Sequence, residues 1–348
     1  MTLLALIIAL VLEQLRPIRQ MNLIQGWVED KLLEVRGALD PERRRAIWFT
    51  WAFIVGGAAI GSMVVSALLG LIHPLLELLF AVAVLYLTLG FRQFSHWFSD
   101  IHAALKNEDL PEARRILGQW VEESQADAVA RSAAETGNES AVVRESIRLA
   151  LVAAQRHVFG PIFWFVILPG PSGALAYWLN VQLLRAWGRP IAQRTSGSAP
   201  RALLESEVSG SASVSDHFSE VACRAYSWVD WLPVRVTAII FAIVGNFEDS
   251  IAMWRSRVGV SPAMSLDDTD RVLVASGAGA IGVRLTVPDA QPVGSDPDDW
   301  EGQSGLSAEP DLREAAEYSM NSSVGLVWRA VIMWFFIVLI FYLGRWLS

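Results

Sequence analysis

Apolar residues in this chain fall in long runs separated by charged stretches, and several runs exceed what one face of a soluble helix needs. Ile47 to Ile72 is almost continuously apolar, stops at His73-Pro74 and resumes from Leu75 to Phe91. A helix crossing a bilayer needs ~20 such residues. The first run meets that length and the second nearly does. Pro74 favours a turn or sharp kink between them, so the pair predicts a transmembrane hairpin with 16–46 and 92–157 on one side. Both flanks are rich in Arg, which places them in the cytoplasm by the positive-inside rule. Gly57 and Gly61 form a GxxxG spacing that lets another helix come close. Gly325 to Leu343 is a further clear span.

The remaining runs are shorter. Met1 to Leu12 lacks a basic start and is followed by Glu13-Gln14-Leu15-Arg16-Pro17 instead of a small-residue cleavage site. It reads as a retained helix, tilted or partly buried. Over 98–156 apolar positions recur at helical spacing (Ile101, Leu105, Ile116, Leu117, Trp120, Val121), with Pro111 suited to a first helical turn. That predicts a water-facing helical segment. Val158 to Leu184 is apolar but interrupted by Pro169-Gly170-Pro171-Ser172-Gly173, predicting a broken or re-entrant pair. Residues 195–215 read as a flexible linker and 287–317 as an acidic mobile loop. Trp231 to Gly245 is a short apolar run carrying Pro233 and Arg235, and Leu273 to Leu285 is rich in small residues suited to close helix packing.

The predicted fold class is all-α, a polytopic helical membrane protein with a cytoplasmic helical domain and broken or re-entrant membrane segments. Its parts are 1–46 (membrane helix and basic segment), 47–91 (hairpin), 92–157 (cytoplasmic helices), 158–286 (core of broken helices), 287–323 (acidic loop) and 324–348 (last span). Composition agrees: 53% of residues are hydrophobic and 18% charged, with mean hydropathy +0.36. Fifteen Trp against five Tyr suits the membrane–water interface. The bilayer is therefore the expected partner, with room for a cytoplasmic or membrane partner protein. A net charge of −8 gives no basic field for nucleic acid. Cys223 is the only cysteine, which excludes an internal disulfide and Cys-rich metal sites.

Chemistry is sparse. Gly277-Ala278-Gly279-Ala280-Ile281-Gly282 matches GxGxxG, but no strand–helix alternation surrounds it, and tight helix packing accounts for it better. His96, Asp100 and His102 lie close in sequence, yet only His96 and Asp100 share a helix face. They read as polar residues of an interfacial helix, not a metal site. Arg235 and Arg329 each interrupt an apolar run, and an intramembrane charge is a functional candidate. Arg329 sits near the end of its span, where snorkelling is the competing account. Arg235 is expected to hold a buried acid or bound anion, with Asp230, Glu248 and Asp249 as candidate partners. Arg156 and His157 precede Gly160-Pro161 and are candidates for the same cytoplasmic opening. No metal ligand set or cofactor is evident from these residues.

Several blocks nonetheless resemble the superfamily that joins CobD/CbiB with AmpE. They are 104–117, Gly160-Pro161-Ile162-Phe163-Trp164, 171–177, Asp230-Trp231-Leu232-Pro233-Val234-Arg235 and 279–285, in the family's order. Resemblance to CobD/CbiB implies a membrane enzyme of cobalamin biosynthesis. Such an enzyme joins an aminopropanol or its phosphate to adenosylcobyric acid by ATP-dependent amide ligation, with Mg²⁺ and ATP. Ahead of Pro-x-Phe-Trp that family has roughly Glu-Asn-x-x-Asp-Gly, where this chain has Val152, Ala153, Arg156 and His157. Its Asp-Asp pair falls on Tyr226-Ser227, and its Ser-Pro-Asn survives as Ser261-Pro262. The same positions resemble AmpE at Arg156, at Leu184-Arg185-Ala186-Trp187, at 230–235 and in a short Met-Thr-Leu opening helix.

The leading expectation from the AmpE likeness is a bacterial inner-membrane, multi-pass protein of non-enzymatic signalling or small-molecule sensing, linked to cell-wall and β-lactamase regulation. Arg156, His157, Asp230, Arg235 and Glu248 are its expected ligand-binding residues. The alternative is a divergent CobD/CbiB-type ligase that uses other acids, such as Glu145, Asp230 or Glu248.

Overall fold

The computed structural model describes residues 2–15, 21–40, 43–188, 217–258, 266–285 and 312–347. The expected linker at 195–215 and all but the end of the 287–317 loop lie outside these. Among the described residues the chain is helical, with one isolated parallel bridge between Val283 and Arg313. Four helices among the described residues are long and apolar enough to cross a membrane: Arg44–Ile72, Glu139–Ile167, His217–Val244 and Glu317–Ile340. The protein is an all-α, polytopic membrane protein.

The chain divides into two compact units, Met1–Leu89 with Pro161–Asp230 and Met264–Leu266, and Gly90–Gly160 with Trp231–Ala263 and Asp267–Ser348. The first contains α1 (Thr2–Leu15), α2 (Met21–Ala38), α3 (Arg44–Ile72) and α4 (Pro74–Thr88). In α3 only 11% of the most apolar window is buried within the protein. Phe49, Phe53, Ile60, Leu68 and Leu71 are all exposed. A helix apolar all round that the protein does not cover must be solvated by lipid. A side chain added at Gly57 or Gly61 would meet nothing within 4 Å, so no described helix of the first unit packs on that GxxxG face.

The break between α3 and α4 has a local cause. His73 is extended, its Nδ1 accepts the Leu75 N–H at 3.1 Å, and Pro74 opens the next helix, a proline-at-N1 start. In the same unit α10 (Ser172–Trp187) packs against α2, α3 and α4. Its last carbonyls, Ala186 and Trp187, accept from Arg36 Nη1 at 3.4 and 3.1 Å. The Trp187 indole returns a bond to Leu32 O at 3.0 Å.

The second unit contains α5 (Phe91–Lys106), α6 (Leu110–Ser124), α7 (Ala128–Thr136) and α8 (Glu139–Ala154). Asp109, Asp127 and Asn138 each cap the following helix by accepting a backbone N–H, the ordinary role of Asp and Asn at N-caps. A π-helical turn, Gln155–Phe159, then carries the chain into α9 (Gly160–Ile167). Further on come α11 (His217–Val244), α12 (Phe247–Val258), α13 (Leu266–Ile281) and α14 (Glu317–Leu347).

Pro161 and Pro233 both lie inside continuous helices. Proline removes one helical bond and crowds the carbonyl four residues back. For Pro161 that carbonyl is His157 O, which accepts the Gly90 N–H at 3.2 Å beside the π turn. For Pro233 it is Val229 O, which accepts the Trp164 indole N–H at 3.2 Å. Each freed acceptor has a donor from elsewhere in the fold. Helix therefore runs from 139 to 167 without stopping at 157, and α11 extends well before the short run starting at Trp231.

Arg329 neither pairs with an acid nor only reaches for water. Its Nη1 donates to Val244 O at 2.8 Å and its Nε to Gly325 O at 3.1 Å, so it caps the end of α11, where a cation is favoured. Arg329→Ala is expected to lower stability by ~1 kcal/mol, read as a lower melting temperature of the detergent-solubilised protein. Arg329→Lys should recover part of the loss.

Candidate functional site

In the second unit, charged side chains line successive turns of α8. Glu145 is 1% exposed; its carboxylate meets Arg148 Nε at 2.6 Å and Arg144 Nε at 3.8 Å. Arg148 also reaches Asp127 at 2.9 Å. Two turns on, within the π turn, Arg156 Nη2 pairs with Asp270 Oδ2 at 3.0 Å. Asp270 lies in the first turns of α13 and is within electrostatic reach of Arg148 as well. Arg156 and Asp270 are each about a quarter exposed, so the pair reaches the protein surface. A π turn is a frequent device for re-aiming side chains at functional sites, and here it sets Arg156 towards α13.

The first unit holds a different polar centre. Tyr177 on α10 and Tyr226 on α11 both donate to the Asp230 carboxyl, to Oδ1 and Oδ2, each at 2.9 Å. The two hydroxyls are 3.1 Å apart. All three residues are buried. Tyr226 and Asp230 share a face of α11 at i, i+4, and Tyr177 comes from α10. Nearby on α10, Asn180 accepts the Trp51 indole N–H at 2.9 Å.

Among the residues expected to form a site, Arg156 gains an acid that the pattern did not name, Asp270. His157 lies half-buried beside it and contributes its carbonyl to Gly90. Asp230 is enclosed by tyrosines. The expectation that Arg235 holds a buried acid is corrected: its guanidinium lies over the Trp231 ring, 4.0 Å from the centroid, and donates to Trp231 O at 2.9 Å. An aromatic face one helical turn back satisfies the cation without an acid. Glu248 is exposed in the first turn of α12, and the Asp249 carboxylate is taken by the Asn246 amide at 2.7 Å. Neither is placed on Arg235.

The other motifs resolve structurally. His102 Nε2 meets Glu317 Oε1 at 2.7 Å and ties α5 to α14, while the His96 ring lies against Trp97. Among the described residues no three His, Cys, Asp or Glu side chains converge as metal ligands. The GxGxxG segment is the end of α13. A Cβ at Gly277 would meet the Leu151 side chain, and one at Gly279 the Asp249 and Ser250 backbone. Close helix packing is what these glycines serve.

A polytopic helical membrane protein with half-buried ion pairs along α8 and an acid enclosed by tyrosines on α11 is the class defined here. The family model described as CobD/Cbib protein matches residues 2–181, and the chain belongs to that family. It is 31% identical over 212 residues to a cobalamin biosynthesis protein CobD of Chromobacterium violaceum, covering 61% of this chain and 57% of that protein. It is 26% identical over 269 residues to a protein of the same description from Stutzerimonas stutzeri, covering 76% and 73%. The match thus spans little more than half the length of the first relative. No solved structure matches the chain. These relatives overturn the expected non-enzymatic, AmpE-type signalling role: both are named for cobalamin biosynthesis.

Proposed function

We propose that this protein acts in cobalamin biosynthesis as a CobD/CbiB-type membrane protein of the bacterial inner membrane. Its proposed part is the ATP-dependent joining of an aminopropanol, or its phosphate, to adenosylcobyric acid. The observation that carries the reading is the shared description of its two curated relatives, supported by the family match over 2–181. The AmpE-like residues, Arg156 and the 184–187 and 230–235 blocks, are on this reading features of a divergent branch and not signs of another role.

The structure supports a specific place for the polar chemistry. Where the family pattern has acids before Pro-x-Phe-Trp, this chain has Arg156, and Asp270 of α13 supplies a carboxylate at that locus. Arg156 suits a phosphate or carboxylate through its planar fork, and Asp270 is the accessible acid beside it. The described residues assemble no protein cage for Mg²⁺. Mg²⁺ arriving on ATP phosphates needs only one or two carboxylates, and Asp270 is the candidate. Glu145 is closed off by its arginines, and Asp230 by its tyrosines.

Expression in a strain lacking the CobD/CbiB step is expected to restore cobalamin-dependent growth. Failure despite normal amounts in the membrane would refute the reading. In the same assay Arg156→Leu and Asp270→Asn should each abolish growth. The exchange of both, Arg156→Asp with Asp270→Arg, should keep the protein folded but not restore activity, because the ligand meets the wrong charge at each position. Restoration by the exchange would mean that the pair is only a structural tie.

A further inference from the structure

A cavity of about 210 Å³ lies between α5, α8 and the first third of α14, wholly inside the second unit. Its walls are buried and almost entirely apolar: Phe94 and Phe98 from α5, Ala150 and Leu151 from α8, and Val327 from α14. Water entering an apolar pocket of this kind finds few hydrogen-bond partners. The Ser323 hydroxyl on the wall donates to Met320 O at 2.7 Å, so its proton is already taken. A void this large forfeits the contacts its lining would otherwise make. Something apolar is the natural filling.

The rim tells what that filling is. On one side it is formed by Val324 and Trp328, both exposed. They begin an apolar stripe that continues at every fourth residue of α14 through Ile332, Phe336 and Ile340, all exposed. On a membrane-crossing helix such a stripe faces lipid tails. Ser95 and Ser99 on α5 also line the pocket, and Ser99 is exposed. Beside Ser99 lie the exposed Asp100 and, one turn back, His96. The opening is therefore continuous with a lipid-facing surface through α14 and hydroxyl-bearing through α5. That asymmetry matches an amphiphile with its tail inside and its ester end at the serines.

We infer that this cavity is a phospholipid site that takes one acyl chain of a membrane lipid between α5, α8 and α14. The inference is independent of the cobalamin reading, since it uses neither Arg156 nor Asp270.

The test uses the full chain reconstituted in vesicles of phosphatidylethanolamine and phosphatidylglycerol, with a trace of phosphatidylethanolamine carrying a diazirine near one chain end. After irradiation, adducts are mapped by peptide mass spectrometry. Adducts on the buried residues Phe94, Phe98 and Leu151 are expected, together with adducts on the stripe at Ile332 and Phe336. In Ala150→Phe, which fills the cavity, the buried adducts should be lost while stripe labelling persists. The milder Ala150→Leu should reduce them. Stripe labelling without buried adducts in the unaltered protein would overturn the inference, as would buried adducts that survive both substitutions. Persistent stripe labelling also reports that each variant is inserted.

Discussion

Gly279→Ala is expected to leave little or no folded protein in the membrane, although it adds a single methyl group. The new Cβ would stand 2.5 Å from Asp249 O and 2.6 Å from both Asp249 C and Ser250 Cα. All three are backbone atoms, so no rotamer change can relieve the clash. Overpacking that side chains can absorb costs ~1–3 kcal/mol, and here the helices themselves must separate. Separation would also break the buried hydroxyl staple in which Ser250 Oγ meets Ser276 Oγ at 2.7 Å and Ser276 Oγ donates to Ala238 O at 2.8 Å. A domain's whole stability is about 5–15 kcal/mol, and the combined loss takes a large share. Gly277→Ala is the internal control: its Cβ meets the end of the Leu151 side chain, which can turn away, so it should be milder. Gly282 has φ +70 and open space around it, so Gly282→Ala should cost only ~1–2 kcal/mol of left-handed strain. The order is read from the folded fraction of fluorescent-protein fusions by size-exclusion chromatography. Equal yields for the 279 and 277 variants would contradict the packing account.

What the residue pattern shows and what it hides follow from how local each cause is. The His73-Pro74 break, the Asp109, Asp127 and Asn138 caps and the lipid-solvated character of α3 are set within a few residues, and all are readable from the chain. The packing role of Gly277 and Gly279 is readable too, because small residues at helical spacing have one common use. Continuity through Pro161 and Pro233 is not, since the donors that satisfy the freed carbonyls, Gly90 and Trp164, lie about seventy residues away. The Arg156–Asp270 pair spans 114 positions, and only the acidic start of α13 hinted that such an acid was available. The place of Arg235 is local and readable: Trp231 lies one turn before it, where an aromatic ring can hold a guanidinium. Function follows the same division. Val152 and Arg156, standing where the CobD/CbiB pattern has acids, point to a different local chemistry, whereas lineage is written over the whole of 2–181. A role inferred from the substitutions alone therefore pointed away from cobalamin.

The Tyr177–Tyr226–Asp230 centre carries the second large effect. Tyr177→Phe or Tyr226→Phe removes one hydroxyl donor from the carboxyl of a fully buried acid. Hydrogen bonds between membrane helices are worth only ~0.6 kcal/mol on average and up to ~1.7, because the separated helices find other partners. Each single change should therefore cost about 1 kcal/mol. The double change differs in kind: it removes both tyrosine donors at once from a carboxyl group that is 0% exposed. An orphaned buried polar group costs ~1–3 kcal/mol, and more when charged. The loss from the double variant should exceed the sum of the singles, since residues sharing one partner are coupled. Asp230→Asn keeps one oxygen to accept a tyrosine hydroxyl and should rank with the single changes. Asp230→Leu in the Tyr177→Phe, Tyr226→Phe background removes acid and hydroxyls together, so it should regain most of what the double variant loses. Thermal melts of the purified variants in one detergent give this order. If the double variant melts no lower than the singles, the tyrosines are not what makes burial of Asp230 tolerable, and another partner must carry the acid.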